Sequence, residues 1–571
     1  MKTSPFTYIF HHFNMLYCRR HYAGFMSSSK DLRSQQEDVL MRLILANRDT
    51  TYGREYRFDK IKDIPTYQKM APIIDYENIL PYIEQIKQGQ KEVLTHCSVR
   101  RFIPSSGTSS SSKLIPYNDA LRRDFSHALY TWLYDLYLRF PEIKRGKSFW
   151  IISPVVPPNE EKSKVPVEFA TDSSYFGRFG RILIDRMMAV PSFLSDVTDM
   201  EDYYYLLSLF LLQTKNLRLI SVWNPSLLTI ILHKILQFRN DIIRDLRRGV
   251  VSVQRIQDKK LRKVAERYLH KNPRRSELLE ALLPVGGTVE DTHWNEIWPD
   301  LRVISAWSEG WAYPGFLTIK RLFPKTYCQG KGLLMTEGIV SIPIIDKKSN
   351  ESKTVLTTDI HFYEFCNTET REILLVDQLV RGHQYEVIMT TSGGLYRYRT
   401  HDIVRFEGYF EGKIHLSFVG KNDVISDVRG EKLNAFHVGK ALKKLLPGDI
   451  YGNYFLAPFV EEEKACYILF LEQSVGAPFD NTKELCTNLD KLLMDNYHYN
   501  NCRILGQLSE PKIHWMDGRK LDAYRGATQQ NKLLSTAKDL PLIADPDIST
   551  QILNASVSKP KPSRPINTKT H

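Results

Sequence analysis

At 571 residues, with 42% hydrophobic and 25% charged residues, the chain has ordinary globular composition, and at about 150 residues per domain it predicts two to four domains. Fibrous and wholly disordered architectures are excluded, and no run approaches the roughly 20 apolar residues of a membrane-spanning helix, since "LLSLFLLQ" and "PSLLTIILHKIL" are short or interrupted. A formal net charge of +13 raises nucleic acid, anionic surfaces and phosphorylated small molecules as partners without choosing among them.

The first thirty residues contain no Asp or Glu, and "FTYIFHHFNMLYCRRHYAGF" is aromatic and basic. His11, His12, Asn14, Arg19 and Arg20 interrupt any leader-like apolar core, so a docked N-terminal helix is expected. Residues 35–48 carry a 3.6-residue apolar period, and "DYENILPYIEQIKQG" predicts a helix ended by Gly89. "SFWIISPVV" and "LRLISVW" are short β-branched and aromatic runs followed by helical material, which predicts βα units around a mostly parallel sheet. The basic stretch "RNDIIRDLRRGVVSVQRIQDKKLRKVAERYLHKNPRR" has Leu261, Val264, Tyr268 and Leu269 at helical spacing, which makes its bases the wet face of an amphipathic helix and argues against nucleic acid.

From about Gly330 short strands take over: "GLLMTEGIVSIPII", "IHFYEFCN", "YEVIMTTSGGLYRYR", "DIVRFEGYF" and "KIHLSFVG" predict a β-rich subdomain. A smaller α+β unit follows beyond the polar junction "VGKNDVISDVRGEKL", with helices "LNAFHVGKALKKLL" and "NTKELCTNLDKLLMDN" and strands "YFLAPFVEE" and "ACYILFLEQ". The fold class is α/β: an arm over 1–34, a large N-terminal domain of mixed sheets, flanking helices and the β-rich subdomain over 35–423, a small α+β C-terminal domain over 424–540, and a disordered basic tail over 541–571. The seven cysteines, at 18, 97, 328, 366, 466, 486 and 502, contain no C-x-x-C pair and read as reduced thiols of a cytoplasmic protein.

No G-x-S-x-G elbow, H-E-x-x-H, Walker-type loop or G-x-G-x-x-G is present. The stretch "PSSGTSSSSKLIPYND" is either a serine-rich linker or an anion cradle, in which Gly107 lets backbone N–H groups approach phosphate, Ser106, Thr108 and Ser109 add hydroxyls, and Lys113 adds a charge. Three later segments accompany it: "LLMTEG" with Thr336 and Glu337, "GLYRYRTHDIVRF" with Asp402, and "LSFVGKNDVISDVRGEKL". Taken singly, Lys113 reads as a surface lysine, Glu337 as a turn carboxylate and Asp402 as a partner for Arg399 or Arg405; taken in order, they constrain much more.

Together these segments resemble the adenylate-forming superfamily, and within it the GH3 family of acyl acid amido synthetases in its bacterial type. "SSGTSSSSKLIP", "SVWNPSLL", "WPDLRVISAWSEG", "GLLMTEGIVSIP", "YEVIMTTSGGLYRYRTHDIV" and "FVGKNDVISDVRGEKL" carry the likeness, with "TTYGREY" and "DYENILPYI" near the start, over about residues 35–541. The resemblance implies ATP and Mg2+ as cofactors, a phosphate loop at Ser105, Ser106, Gly107, Thr108 and Ser109 with Lys113 at its end, and a Thr336–Glu337 motif whose carboxylate helps hold the metal. It further implies that Lys113 and Glu337 serve catalysis, that Asp402 accepts the ribose hydroxyls, that Lys421 lies at the hinge, and that Leu333 and Met335 pack near the nucleotide. "GATQQNK" resembles a weaker signature ending at Lys532. The implied partners are a small-molecule carboxylic acid and an amine, an amino acid first; an acyl-CoA ligase, and a non-catalytic scaffold or nucleic-acid-binding protein keeping the fold, stand as alternatives. Four positions depart from the family pattern: His401 where glycine is usual, Leu333 where many relatives carry an aromatic residue, and Ser110 and Ser111 where relatives often carry glycine.

Overall fold

The computed structural model describes residues 5–27, 31–105, 113–151, 163–167, 187–421, 424–446, 454–461, 464–472, 482–504, 506–516 and 541–554. It divides into two compact units, the first ending at Lys421 and the second starting at Asn422.

The first unit opens with the helix Pro5–Ser27. Its buried residues His11, Cys18 and Phe25 recur every seven positions, one stripe on a helix, and that stripe packs along the helix Asp119–Arg139. His11 accepts from the Tyr137 hydroxyl (2.9 Å) and donates to the Gly146 carbonyl (3.1 Å), an arrangement that needs a neutral ring. Burial supplies one by pushing the imidazole down to about 4.

A hairpin of β1 (Val99–Ser105) and β2 (Lys113–Asn118) leads into the helix Asp119–Arg139, which Asn118 caps by accepting the Leu121 N–H. Behind it lies the expected parallel sheet, β3 (Lys147–Trp150), β4 (Leu217–Ser221), β5 (Val303–Ala306) and β6 (Tyr327–Gly330), paired in that order. The helix Met200–Gln213 is apolar on every side, and Tyr203 to Leu212 are all buried, as such a helix requires. Asp199 caps it through the Asp202 N–H, and the next helix, Pro225–Gln237, starts with an Asn224 cap and proline in its first turn.

From Leu334 the chain is β-rich, as the alternating short runs predict. A two-stranded ribbon, β7 (Leu334–Met335) and β8 (Gly338–Ile339), precedes a seven-stranded antiparallel sheet. Its strands are β9 (Ser341–Ile345), β10 (Ser352–Leu356), β11 (Phe362–Asn367), β12 (Ile373–Leu374), β13 (Gln384–Thr390), β14 (Tyr398–Phe410) and β15 (Lys413–Lys421), in the order β12-β11-β13-β14-β15-β10-β9.

The second unit contains a short pair, β16 (Ile425–Ser426) and β17 (Leu433–Asn434), and a three-stranded sheet of β18 (Tyr454–Glu461), β19 (Lys464–Glu472) and β20 (Lys512–Met516). Helices Ala435–Leu445 and Thr482–Leu493 cover it with Leu442 and Leu489, which pack in one core with Leu456 and Tyr467. One expectation fails here. Residues 541–554, assigned to a disordered tail, form a bridge from Leu542 to Leu456 and the helix Pro546–Asn554. Leu542, Ile543 and Ile552 are buried, and that apolar payload outweighs the polar composition around it.

Candidate active site

Among the described residues, Lys113, Glu337 and the strand that carries Asp402 lie near the start of one helix, Tyr76–Lys87. Tyr76 accepts the Leu114 N–H through its hydroxyl (2.7 Å), and Lys113 Nζ stands 5.7 Å from the centre of its ring. This fixes the base of the β1/β2 hairpin, where Ser105 and Lys113 face each other in register and bracket the serine-rich loop. Ser106, Gly107, Thr108 and Ser109 lie outside the described residues, as do Ser110, Ser111 and Lys532.

Thr336 and Glu337 form the turn between β7 and β8, with Met335 and Gly338 paired beneath them. The turn is held from behind: a Cβ on Gly338 would meet Met389 Cε at 2.6 Å and His361 Nε2 at 2.8 Å, so any larger residue would have to displace those two side chains. The buried His361 accepts the Ile339 N–H (3.3 Å), a role for a neutral ring, and burial pushes its imidazole down to about 3. Glu337 acts on Tyr398, the first residue of β14: burial first, then the Glu337 charge, pushes that phenol well above its ordinary value. Tyr76 adds to the same effect, which places Lys113, Tyr76, Tyr398 and Glu337 in one neighbourhood.

Asp402 lies four residues along β14 from Tyr398, is 3% exposed, and pairs in register with Lys421 on β15. Its own N–H donates to Thr400 Oγ1 (3.1 Å). Arg399 donates to Glu386 (2.6 Å) and Arg405 stands 3.9 Å from Glu407. The residue before Asp402 explains the family departure. His401 has φ +61°, the left-handed conformation in which glycine is the easy choice. Its ring sits 3.1 Å from Asp75 Oδ1 on one side and 3.1 Å from Glu386 Oε1 on the other. Burial pushes Glu386 up, but His401 and Arg399 more than reverse this and leave its carboxyl below the usual range.

Asp75 and Tyr76 thus touch both ends of the site, Tyr76 at Lys113 and Asp75 at His401 beside Asp402. Neither residue carries an expected role in the sequence. The available signal was "DYENILPYI", which reads as a family likeness but, by pattern, only as a helix start. Leu333 and Met335 sit lower. Leu333 is 6% exposed, its N–H donates to Ser341 Oγ (2.9 Å), and it packs with Val340, Tyr363 and Met389, with Met335 against the same cluster. They form apolar floor beneath the turn rather than a stacking platform.

Beside the ribbon a mostly apolar cavity opens at the carboxyl ends of the parallel strands, where ligands of open α/β sheets usually bind. Phe125, Trp132, Trp150, Trp223, Lys331 and Leu334 line it. Among the described residues no group of three or more His, Cys, Asp or Glu side chains is placed to hold a metal, and no helix is long and apolar enough to cross a membrane.

Comparison with known proteins agrees with this architecture along most of the chain. The GH3 family N-terminal domain matches residues 22–328, the central domain 354–421 and the C-terminal domain 436–537. Indole-3-acetic acid-amido synthetase GH3.2 of Arabidopsis thaliana is 25% identical over 445 residues, covering 72% of this chain and 78% of its own. Jasmonoyl-L-amino acid synthetase JAR6 of Nicotiana attenuata is 23% identical, covering 82% and 84%. The solved structure of the acyl acid amido synthetase AtGH3.15 with 2,4-DB superposes with a TM-score of 0.79 at 18% identity, over 95% of this chain and 96% of that one, and so shares the fold. On the three matched domains, the chain belongs to the GH3 family.

Proposed function

We propose that this chain is an ATP-dependent acyl acid amido synthetase, which activates a carboxylic acid as its adenylate and transfers the acyl group to the amine of an amino acid. The observation that carries the reading is the convergence of the Lys113 hairpin, the Glu337 turn and the Asp402 strand on Asp75 and Tyr76. An oxygen of the acid attacks the α-phosphorus of ATP and pyrophosphate departs; the amine nitrogen then attacks the acyl carbon and AMP departs. The first step needs placement and charge compensation rather than a protein nucleophile, because the carboxylate is itself the nucleophile.

In this scheme Lys113 and the loop from Ser105 to Ser109 bear on the phosphates, and Asp402 accepts the ribose hydroxyls with Lys421 across the ladder from it. Leu333 and Met335 supply the apolar floor. A single carboxylate at a half-exposed turn fits magnesium, which keeps several waters and uses one or two carboxylates with substrate phosphates, so Glu337 is the protein ligand, with the Thr336 hydroxyl beside it. When bound, the metal supplies positive charge that offsets the phosphate oxygens. A turn of the second unit between the two half-reactions, about a hinge near Asp423 that lies outside the described residues, belongs to this scheme; normal turnover with the units cross-linked in one orientation would exclude this motion. The compartment is the cytoplasm, consistent with seven cysteines that are all free thiols.

The test is AMP release over a panel of carboxylic acids, with and without each amino acid, with product mass as the readout. An amide supports the proposal. A thioester formed with coenzyme A instead would make the chain an acyl-CoA ligase, and retention on phosphate polymers with no AMP release would make it a scaffold.

A further inference from the structure

We propose that the basic face folded from residues 248–271 is a docking surface for an anionic lipid bilayer. This goes beyond the ligase reading and does not depend on it.

The face is built from one short stretch of chain folded back on itself. The helix Arg239–Arg248 ends at Gly249, whose backbone lies against Lys271, and the Leu246 carbonyl accepts the Asn272 N–H (2.8 Å). Beyond a turn in which Ser252 accepts the Arg255 N–H (3.1 Å) comes the helix Lys259–Glu266, whose Glu266 turns inward and accepts the Val251 N–H (3.2 Å). Arg262 is likewise engaged by the loop, donating to the Ile256 and Gln257 carbonyls. What is left outside is cationic. Arg248, Lys259, Lys260, Lys263, Arg267 and Lys271 are exposed, and none of the six forms an ion pair with a described residue, whereas the neighbouring Arg247 pairs with Glu280. Among these cations stand two exposed apolar side chains, Val250 at 47% and Val253 at 63%.

A helix face that only meets water is most stable when its charges alternate in sign, because like charges four residues apart repel. Here Lys259 and Lys263, and Lys263 and Arg267, stand four apart with the same sign, and Lys259 and Lys260 occupy the first turn, where the helix dipole favours acids. Local stability opposes each placement, so the compensating interaction lies outside the chain. An anionic bilayer supplies it: each Lys or Arg brought to such a surface strengthens binding about five-fold, and exposed valines enter the layer between headgroups and acyl chains. Nucleic acid would meet the same charge but find nothing for its bases, since the phenol ring of this face, Tyr268, is already stacked on Phe193 (5.4 Å) and valine offers no π face.

The experiment is co-sedimentation of the full-length protein with phosphatidylcholine vesicles that contain or lack phosphatidylserine, at low and at physiological salt. The protein should sediment with the phosphatidylserine vesicles only, and less so at the higher salt. Lys259→Gln, Lys260→Gln and Lys263→Gln combined should weaken that binding on the order of 100-fold, at about five-fold per charge. Val250→Ser with Val253→Ser leaves every charge in place; it should weaken vesicle binding and leave any retention on single-stranded RNA unchanged. All five side chains are exposed, and an unchanged urea midpoint shows that each variant is folded. No binding to phosphatidylserine vesicles, equal binding to neutral ones, or binding that survives the glutamine substitutions would overturn the inference. A serine variant that loses nothing on vesicles, with RNA bound more tightly than lipid, would make this a nucleic-acid surface and overturn it as well.

Discussion

The two large sheets of the first unit bury polar and apolar surface in different proportions. Around the parallel sheet the interior is mostly apolar: Leu206, Leu207, Leu209 and Phe210 pack in one cluster with Ile220, Ile304 and the stacked pair Trp294 and Trp298, and the few buried charges there, Asp245 and Arg275, lie among the helices outside the sheet, Arg275 bonding the Leu212 and Ile297 carbonyls. The antiparallel sheet buries charge. Arg397, 6% exposed, donates to both oxygens of Glu364 at 2.8 Å and to the carbonyls of Gln68 and Ala71, and Glu386 lies between Arg399 and His401. Arg397 and His401 also both have positive φ. The first sheet meets the cavity at its strand ends, whereas the second carries the candidate residue Asp402 within β14 itself. Departures from simple patterning concentrate where side chains must be aimed rather than merely packed.

The comparison breaks most forcefully at the buried ion pair. Glu364→Ala leaves the Arg397 guanidinium uncompensated in the interior and should destabilise the protein by about 3–5 kcal/mol, read from the urea midpoint. Converting both partners to apolar residues, Glu364→Leu with Arg397→Met, should recover most of that loss. A double variant as unstable as the single one would mean that the pair does not act as a unit and that the charged interior is no different in kind from the apolar one.

The next largest effect separates chemistry from stability. Lys113 lies at the mouth of a hairpin whose geometry Tyr76 maintains through Leu114, so removing its ammonium leaves the scaffold intact. Lys113→Ala should lower ATP–pyrophosphate exchange on the order of 10²-fold, the usual cost of one charge-stabilising group, with the urea midpoint unchanged. Unchanged exchange would remove Lys113 from the phosphate site.

Sequence alone discloses the two sheets unequally. Strand runs such as "LRLISVW" and "YEVIMTT" declare themselves by apolar content and turn residues, and both appear as β4 and β13. The order of Thr336, Glu337, Asp402 and Lys421 is likewise legible, because motif spacing survives in the chain. What is not legible is which partners meet across hundreds of residues. Nothing local says that Asp75 reaches His401 or that Glu364 clasps Arg397, since these contacts follow from tertiary placement of β14 against the helix start. The helix after Asp545 was hidden for a different reason: a polar, proline-containing composition masked a few buried apolar residues.

His401 sharpens the contrast at about 1 kcal/mol. Its left-handed backbone costs a non-glycine residue about that much, while its ring stands between Asp75 and Glu386. His401→Gly loses the ring but relieves the backbone; His401→Ala loses the ring and keeps the strain. The alanine variant should therefore be less stable than the glycine variant by about 1 kcal/mol, measured by chemical denaturation. Equal stabilities would show that the conformation relaxes and that no strain is held beside Asp402.

The effect confined to one pH range lies where the two sheets meet. Glu309 follows β5 of the parallel sheet and accepts the Phe418 N–H (3.0 Å) from β15 of the antiparallel one. Burial raises its carboxyl from the usual 4.5 to about 7, the Phe418 hydrogen bond opposes that rise, and the charge of Glu407 adds to it. Between these two values the folded chain holds a proton that the unfolded chain has lost, so stability falls as pH rises through that window and is flat above it. Glu309→Gln keeps the acceptor for Phe418 and removes the titration. Relative to wild type, the variant should gain thermal stability at pH 8 and gain little or nothing at pH 4. A gain of equal size at both values would show that this carboxyl titrates alike in the folded and unfolded chains, and that the junction between the apolar and charged interiors excludes too little water to hold the proton.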